Sequence, residues 1–285
     1  MTRLRSIFVF LLPVTFLGAE KPASPRPFSG LPQTGEFVFS ILPKSLQKNP
    51  TLEMTVNTEF TPYGRLLRPA SPTQPVYYLS QSAGLKKFGA SVGGEHTPSP
   101  AALESAMTKA LAMNGYLRAV DATTPASLVV VYYWGAHNAE DPETRAAFPA
   151  LAVKNRLERA VLVGGKKYAA EVANIMELGA GPGDRTPERE FLWDQTADDV
   201  YFVVASAYDG QALARGERKL AWRTSMTVNT KGVSMAETLI PLVAAAAPFF
   251  GHETPEPQIN VSRVPRNVRV DVGTPTVVPE KSEKR

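Results

Sequence analysis

The run Ala126-Ser127-Leu128-Val129-Val130-Val131-Tyr132-Tyr133-Trp134-Gly135 leaves this chain few ways to fold. As a strand it sends Val129, Val131 and Tyr133 to one side and Leu128, Val130, Tyr132 and Trp134 to the other, and neither side suits water. Its β-branched and aromatic content, with Pro125 before it and Gly135 closing it, favours a strand over a short buried helix. A strand apolar on both faces belongs in the middle of a sheet, so the remaining segments must supply its neighbours and two covering layers.

Strand neighbours are legible on both sides of it. Leu52 to Phe60 alternates, with Leu52, Met54, Val56, Thr58 and Phe60 against Glu53, Thr55, Asn57 and Glu59, the pattern of a half-buried strand. Val76 to Leu79, set off by Pro75, is expected as its antiparallel partner across the proline-bearing loop from Thr61 to Gln74. Tyr116 to Val120 reads as a short edge strand. Val200 to Tyr208 and Leu220 to Val228 read as a long hairpin. The first of these is apolar on both faces. The second alternates Leu220, Trp222, Thr224, Met226 and Val228 with Ala221, Arg223, Ser225 and Thr227, so one of its faces is expected to meet solvent or a partner, near an edge.

Helices are announced by their caps. Ser99 and Pro100 open a segment that runs to Asn114-Gly115, with Leu103, Ala106, Met107, Ala110 and Leu111 on one stripe. Ser234 with Glu237 three residues on forms a capping box ahead of the apolar segment Met235 to Ala247, in which Pro241 is expected to introduce a kink and Pro248 to mark the end. Residues 136–199 form an insertion with helical spacing. Ala150 to Val163 and Lys166 to Leu178, joined at Gly164-Gly165, are expected to make a helical hairpin capped by Gly179. Its lysines and arginines read as a solvated face and not as a nucleic-acid site.

The termini differ in character from this body. Arg3 and Arg5, the apolar stretch Ser6 to Gly18, and Leu17-Gly18-Ala19 have the order of a secretory signal peptide, residues 1–19, cleaved before Glu20. That stretch is short for a membrane span, and no other segment is apolar enough to make one after cleavage, although retention of the leader as an anchor stays open. Residues 20–35, with Pro22, Pro25, Pro27 and Pro32, read as an extended linker. Leu31-Pro32-Gln33-Thr34-Gly35 spells a cell-wall sorting signal in the wrong place, near the N-terminus, and is read as coincidence. Residues 252–285 are expected to be a largely disordered proline-rich tail, with an alternating patch at Asn267 to Gly273. Loss of Arg3 and Arg5 leaves 29 basic against 27 acidic residues, so the formal charge falls from +4 to +2. So even a balance argues against nucleic acid as a partner. With no cysteine in the chain, disulfides and a lipid-accepting Cys are both excluded, and stability rests on packing.

The helix ending in Asn114-Gly115-Tyr116, the strand Ser127 to Tyr133, the hairpin with Tyr208-Asp209-Gly210 and Leu220-Ala221-Trp222-Arg223, and the final helix ending Ala247-Pro248-Phe249 together resemble the DUF4136-type bacterial envelope proteins. The likeness spans about half of the chain. It implies a secreted or lipid-anchored α/β protein of no assigned activity. The chain departs from that pattern in lacking the anchoring Cys, in its long helical insertion, and in its extended portion from Leu52 to Leu79.

The sharpest enzymatic pattern is Glu177-Leu178-Gly179-Ala180-Gly181-Pro182-Gly183-Asp184, similar to the glycine-rich first motif of S-adenosylmethionine-dependent methyltransferases, in which Gly179, Gly181 and Gly183 would approach the cofactor. A helical pattern precedes it where that fold needs a strand, so a helix C-cap followed by a loop competes with it. His96, His137 and His252 are scattered. No Gly-x-Ser-x-Gly elbow or His-Glu-x-x-His helix exists, and no metal site is expected, although His137, Glu140 and Asp141 share one polar loop. Two readings stay open for the end of the apolar run. Its rings close the core, or Tyr132, Trp134, His137 and Asn138 form a recognition rim. The chain therefore reads as an α/β (α+β) protein with a mainly antiparallel sheet packed by helices. Residues 36–251 make one domain, with the helical hairpin inserted and disordered termini. The expected function is an exported, non-catalytic binding or assembly module of the periplasm, envelope or exterior, with no cofactor; methyl transfer is the alternative.

Overall fold

The apolar run extends into an eleven-residue strand, Leu128–Asn138, with neighbours on both sides. In a computed structural model, residues 42–90, 96–120, 125–178 and 186–266 are described. In chain order they form β1 (Thr51–Phe60), β2 (Val76–Gly89), α1 (Pro100–Ala112), β3 (Tyr116–Arg118), β4 (Leu128–Asn138), α2 (Pro142–Ala147) and α3 (Pro149–Glu177). Then come α4 (Pro187–Ala197), β5 (Val200–Asp209), α5 (Gly210–Ala214), β6 (Leu220–Asn229), α6 (Met235–Ala246) and β7 (Gln258–Arg263). The strands build one seven-stranded sheet in the order β3-β2-β4-β5-β6-β1-β7. The signal peptide, the linker, the patch from Asn267 to Gly273 and the glycine motif from Gly179 to Asp184 lie outside the described residues.

The mainly antiparallel sheet read from the sequence is corrected to a mixed one. β5 and β6 form the expected hairpin, and β4–β5, β6–β1 and β1–β7 are antiparallel too. But β2 lies parallel to β4 on one side and to β3 on the other. The segment at Val76 therefore does not partner β1, which is four strands away in the sheet. The connection after Phe60 crosses the end of the sheet before β2 begins, and α1 carries the chain from β2 back to β3, as parallel pairing requires. β2 is also longer than Val76 to Leu79. Its register against β4 shifts between Ser82 and Leu85, where Gly84 takes φ 76, a conformation that suits glycine at a bulge.

On one face of the sheet sit Leu128, Val130, Tyr132, Trp134 and Ala136 of β4, Tyr201, Val203, Ala205 and Ala207 of β5, and Trp222, Met226 and Val228 of β6. α1 and α6 close over them with Leu103, Met107, Leu111, Leu239, Leu242 and Val243, and this is the main core. Both helices begin as their caps require. The Ser99 hydroxyl accepts from Ala102 N at 3.2 Å, and Ser234 and Glu237 exchange the two bonds of a capping box. α6 continues through Pro241 to Ala246.

The opposite face is covered unevenly. α3 and α4 lie over β1 and β6, where the strand residues are polar: Thr55, Asn57, Ser225 and Thr227 are buried beneath them. The polar face of β6, expected to meet solvent or a partner, is instead covered by the chain's own α4: Gln195 accepts a bond from Thr227 Oγ1 at 3.3 Å and donates to Glu53 O at 3.4 Å. Hydrogen bonds make that burial tolerable. The insertion expected as a helical hairpin is a span that leaves helical geometry at Gly165, with φ 78 and ψ −174. A Cβ there would stand 2.4 Å from Asn57 Nδ2, and Lys166 N donates to Glu59 Oε1 at 2.9 Å. The glycine break is what lets the helix backbone meet β1.

Over β2 and the first part of β4 the same face is covered less, so that Val129, Val131 and Tyr133 are half-buried and Leu79 is exposed; α3 reaches this face of β4 at His137. The expected disordered tail is corrected in part. Gln258–Arg263 pairs with β1 from Thr51↔Arg263 to Val56↔Gln258, an edge strand whose mixed pattern gives little local signal.

Candidate functional site

The strand end singled out from the sequence is sealed. Tyr132 and Trp134 are 2% and 5% exposed and stack at 6.1 Å within the main core. His137 and Asn138, on the last turn of the pleat, are 1% and 5% exposed. All four are buried, the two rings in the main core and His137 and Asn138 among internal polar contacts. Strand alternation places the rings beneath α1 and α6, and the insertion covers His137 from the other side.

Around His137 the contacts are polar and nearly closed. Arg159 of α3, 2% exposed, donates through Nη1 to Asn138 O at 3.1 Å and through Nε to Thr196 O at 2.8 Å. The same Nη1 lies 3.4 Å from His137 Nδ1, and His137 Nε2 lies 3.4 Å from Glu158 Oε2; the tautomer protonated on Nε2 satisfies both. Burial, and then the Arg159 charge, hold the His137 pKa below the ordinary imidazole value, against an opposing pull from Glu158. Burial also lowers Arg159, opposed by the carboxylates of Glu140 and Asp199. Asn155 donates to Glu140, and Ala139 N donates to Asp199 Oδ1 at 2.6 Å. Such a network ties α3 and α4 to the end of β4. It does not gather metal ligands: Asp141 turns away to cap α2 through Thr144 N at 2.8 Å, and no group of three His, Asp or Glu side chains among the described residues could hold an ion.

The opposite end of β4 is open. There the starts of β2, β3, β4 and β6 and the ends of β1 and β5 surround a cleft of about 560 Å³, within the range of about 300–1,000 Å³ usual for small-molecule sites. Phe60, Leu67, Val76, Tyr77, Tyr116, Leu128 and Trp222 supply its apolar walls, and Arg65, Arg68, Asp209 and Glu253 its charges. The turn after β1 shapes one side. Thr61 N donates to Ala221 O at 3.0 Å, Gly64 N donates to Thr61 Oγ1 at 3.0 Å, and a Cβ on Gly64 would fall 2.0 Å from Ala221 O. Only glycine lets that turn lie so close to β6. On the far side Trp222 meets Tyr116 edge-on at 5.4 Å. The buried Trp222 Nε1–H faces the Tyr116 hydroxyl without hydrogen-bond geometry. Burial pushes the Tyr116 hydroxyl up to about 12, with that N–H acting weakly the other way.

Three of the cleft's four charged groups are already engaged. The Tyr63 hydroxyl donates to Asp209, and Ala212 N donates to its other oxygen at 2.5 Å. These bonds, led by Tyr63, hold the Asp209 carboxyl below its ordinary range, and Arg215 and Lys219 add to the effect. Arg65 Nε donates to Glu253 Oε2 at 3.0 Å in a two-pronged pair that lowers Glu253 likewise. Arg68 is exposed and has no ion-pair partner among the described residues.

Sequence reasoning missed this cleft because its lining comes from seven short stretches between Phe60 and Glu253, each unremarkable alone. The only local traces were Gly64 in an otherwise rigid proline-bearing loop and Asp209-Gly210 at the end of a strand. Of the methyltransferase-like motif, Gly179, Gly181 and Gly183 lie outside the described residues. What precedes it is helix α3, with Leu178 as C-cap. The strand that a cofactor-binding glycine turn needs is therefore absent on that side. No protein-family model matches the chain, and no curated protein matches it. No helix among the described residues is long and apolar enough to cross a membrane.

Proposed function

We propose that this protein is an exported, non-catalytic binding module of the bacterial envelope or exterior, and that the cleft at the open end of β4 receives its ligand. The observation that carries the reading is the cleft itself: aromatic and aliphatic walls, enough volume for a small molecule, and carboxylates already engaged by Tyr63 and Arg65. Groups so engaged orient a ligand better than they transfer protons, since a catalytic base needs a pKa raised toward neutrality and Asp209 and Glu253 are both lowered. Export is supported by Arg3, Arg5, the apolar stretch to Gly18, and Ala19 at the cleavage position. The resemblance to envelope proteins points the same way.

Two measurements test this. Intact mass of the protein recovered from a secreting bacterial host should place the mature N-terminus at Glu20, and a retained Met1 in the membrane fraction would replace export with anchoring. Titration with N-phenyl-1-naphthylamine, a neutral apolar fluorophore, should give saturable binding at one site. Filling the cleft by Leu67→Trp should weaken that binding about tenfold or more, the loss of roughly one well-buried apolar group's contribution. Absence of saturable binding in the folded parent would end the reading.

A further inference from the structure

We infer that the ligand is an amphiphile with an apolar body and a single carboxylate, its body lying against Tyr77, Tyr116 and Trp222 and its head on Arg68. This rests on the reading of the cleft as the binding site and goes on to name what it selects. The argument is one of charge. Glu253 is held by Arg65, and Asp209 by Tyr63 and Ala212 N with Arg215 and Lys219 nearby. Of the four charged groups that line the cleft, Arg65 and Glu253 hold each other and Asp209 is hydrogen-bonded, which leaves the Arg68 guanidinium, exposed and with no ion-pair partner among the described residues. An unmatched guanidinium at the rim of an apolar cavity presents a forked donor to a planar carboxylate while the rest of the molecule leaves water. The carboxylates of Asp209 and Glu253 line the same cleft, so a dianionic head such as a phosphate monoester meets more repulsion than a monoanion does.

Displacement of bound N-phenyl-1-naphthylamine by decanoate and by decanol, at pH 8 and below micelle-forming concentrations, tests the inference. Apolar burial alone ranks the alcohol first, because the ionised acid must give up hydration that the alcohol lacks. The guanidinium should reverse that order, with decanoate displacing at about three- to tenfold lower concentration in low salt and losing the advantage as salt is raised. Arg68→Gln, a change at an exposed side chain, should restore the alcohol's lead over the acid in displacing the fluorophore. Glu253→Gln frees Arg65 from its partner and should widen the preference for decanoate. If the fluorophore binds but the alcohol displaces it better than the acid, or Arg68→Gln leaves the ratio unchanged, the carboxylate inference is wrong and the cleft still stands as an apolar site. If the fluorophore does not bind the folded parent, both fall.

Discussion

Removing the Trp134 side chain tests the burial of the strand end directly. Trp134 is 5% exposed, stacks on Tyr132, and is paired across the sheet with the fully buried Val203. Truncating a buried tryptophan to alanine costs about 3–5 kcal/mol through lost transfer energy and the cavity left behind. Trp134 Nε1 is buried without a hydrogen-bond partner. An unmatched buried donor itself costs about 1–3 kcal/mol, and every substitution that deletes it recovers some of that. Trp134→Ala is therefore expected near the lower end, about 3 kcal/mol. Trp134→Phe keeps most of the ring volume and deletes the donor, so it should stay within about 1 kcal/mol of the parent. Urea denaturation followed by far-ultraviolet circular dichroism measures both, with the slope checked for constancy so that the midpoints report stability. An alanine variant that melts with the parent would put Trp134 at the surface and refute the placement of the β4 rings. A phenylalanine variant as damaged as alanine would show that the indole N–H has a partner in solution.

The two faces of the central strands should separate by charge insertion: Val203→Asp, at a fully buried position, is expected to abolish folding, whereas Val131→Asp, on the half-covered face, should leave a folded protein of reduced stability in thermal melts. Equal damage at both sites would show that something covers the β2–β4 face. Gly135→Ala places a Cβ 1.6 Å from Lys86 O and should loosen β2 from β4, read as faster amide hydrogen exchange in β2 than in β6; unchanged exchange would contradict the close parallel pairing. His137 is neutral in both folded and unfolded chains above about pH 6.5. Below that the unfolded chain takes up a proton that the folded site, with its lowered pKa, resists, so stability falls as pH drops from 6.5 toward the folded value. The difference in urea midpoint between the parent and His137→Asn should accordingly change between pH 7 and pH 5, and a constant difference would mean that the site accepts the charge freely.

Local chemistry determined a good deal of this protein. The bounds of α1 and α6 follow from Ser99-Pro100 and from the Ser234–Glu237 box, because a cap acts within a few residues of itself. The run at Leu128, the hairpin of β5 and β6, and the strand at Leu52 follow from period-two patterning, which is equally local. Pairing partners are not local. Val76 carries no mark saying that its strand lies parallel to β4, since that is decided by where the crossover through α1 delivers the chain. The alternation of Ser225 and Thr227 with Met226 announced a polar face, but water and the hydrogen-bonding side chain of Gln195 satisfy such a face equally well, and only the docking of α4 chose between them. β7 escaped notice for the same reason, its short mixed run being a strand only because β1 offers it an edge. Aromatic content at Tyr132 and Trp134 showed that rings end the strand, while the sheet's geometry decided that they turn inward. The cleft belongs wholly to tertiary structure: six strand termini and three loops converge there, and a cavity, unlike a strand, has no periodicity to leave in a sequence.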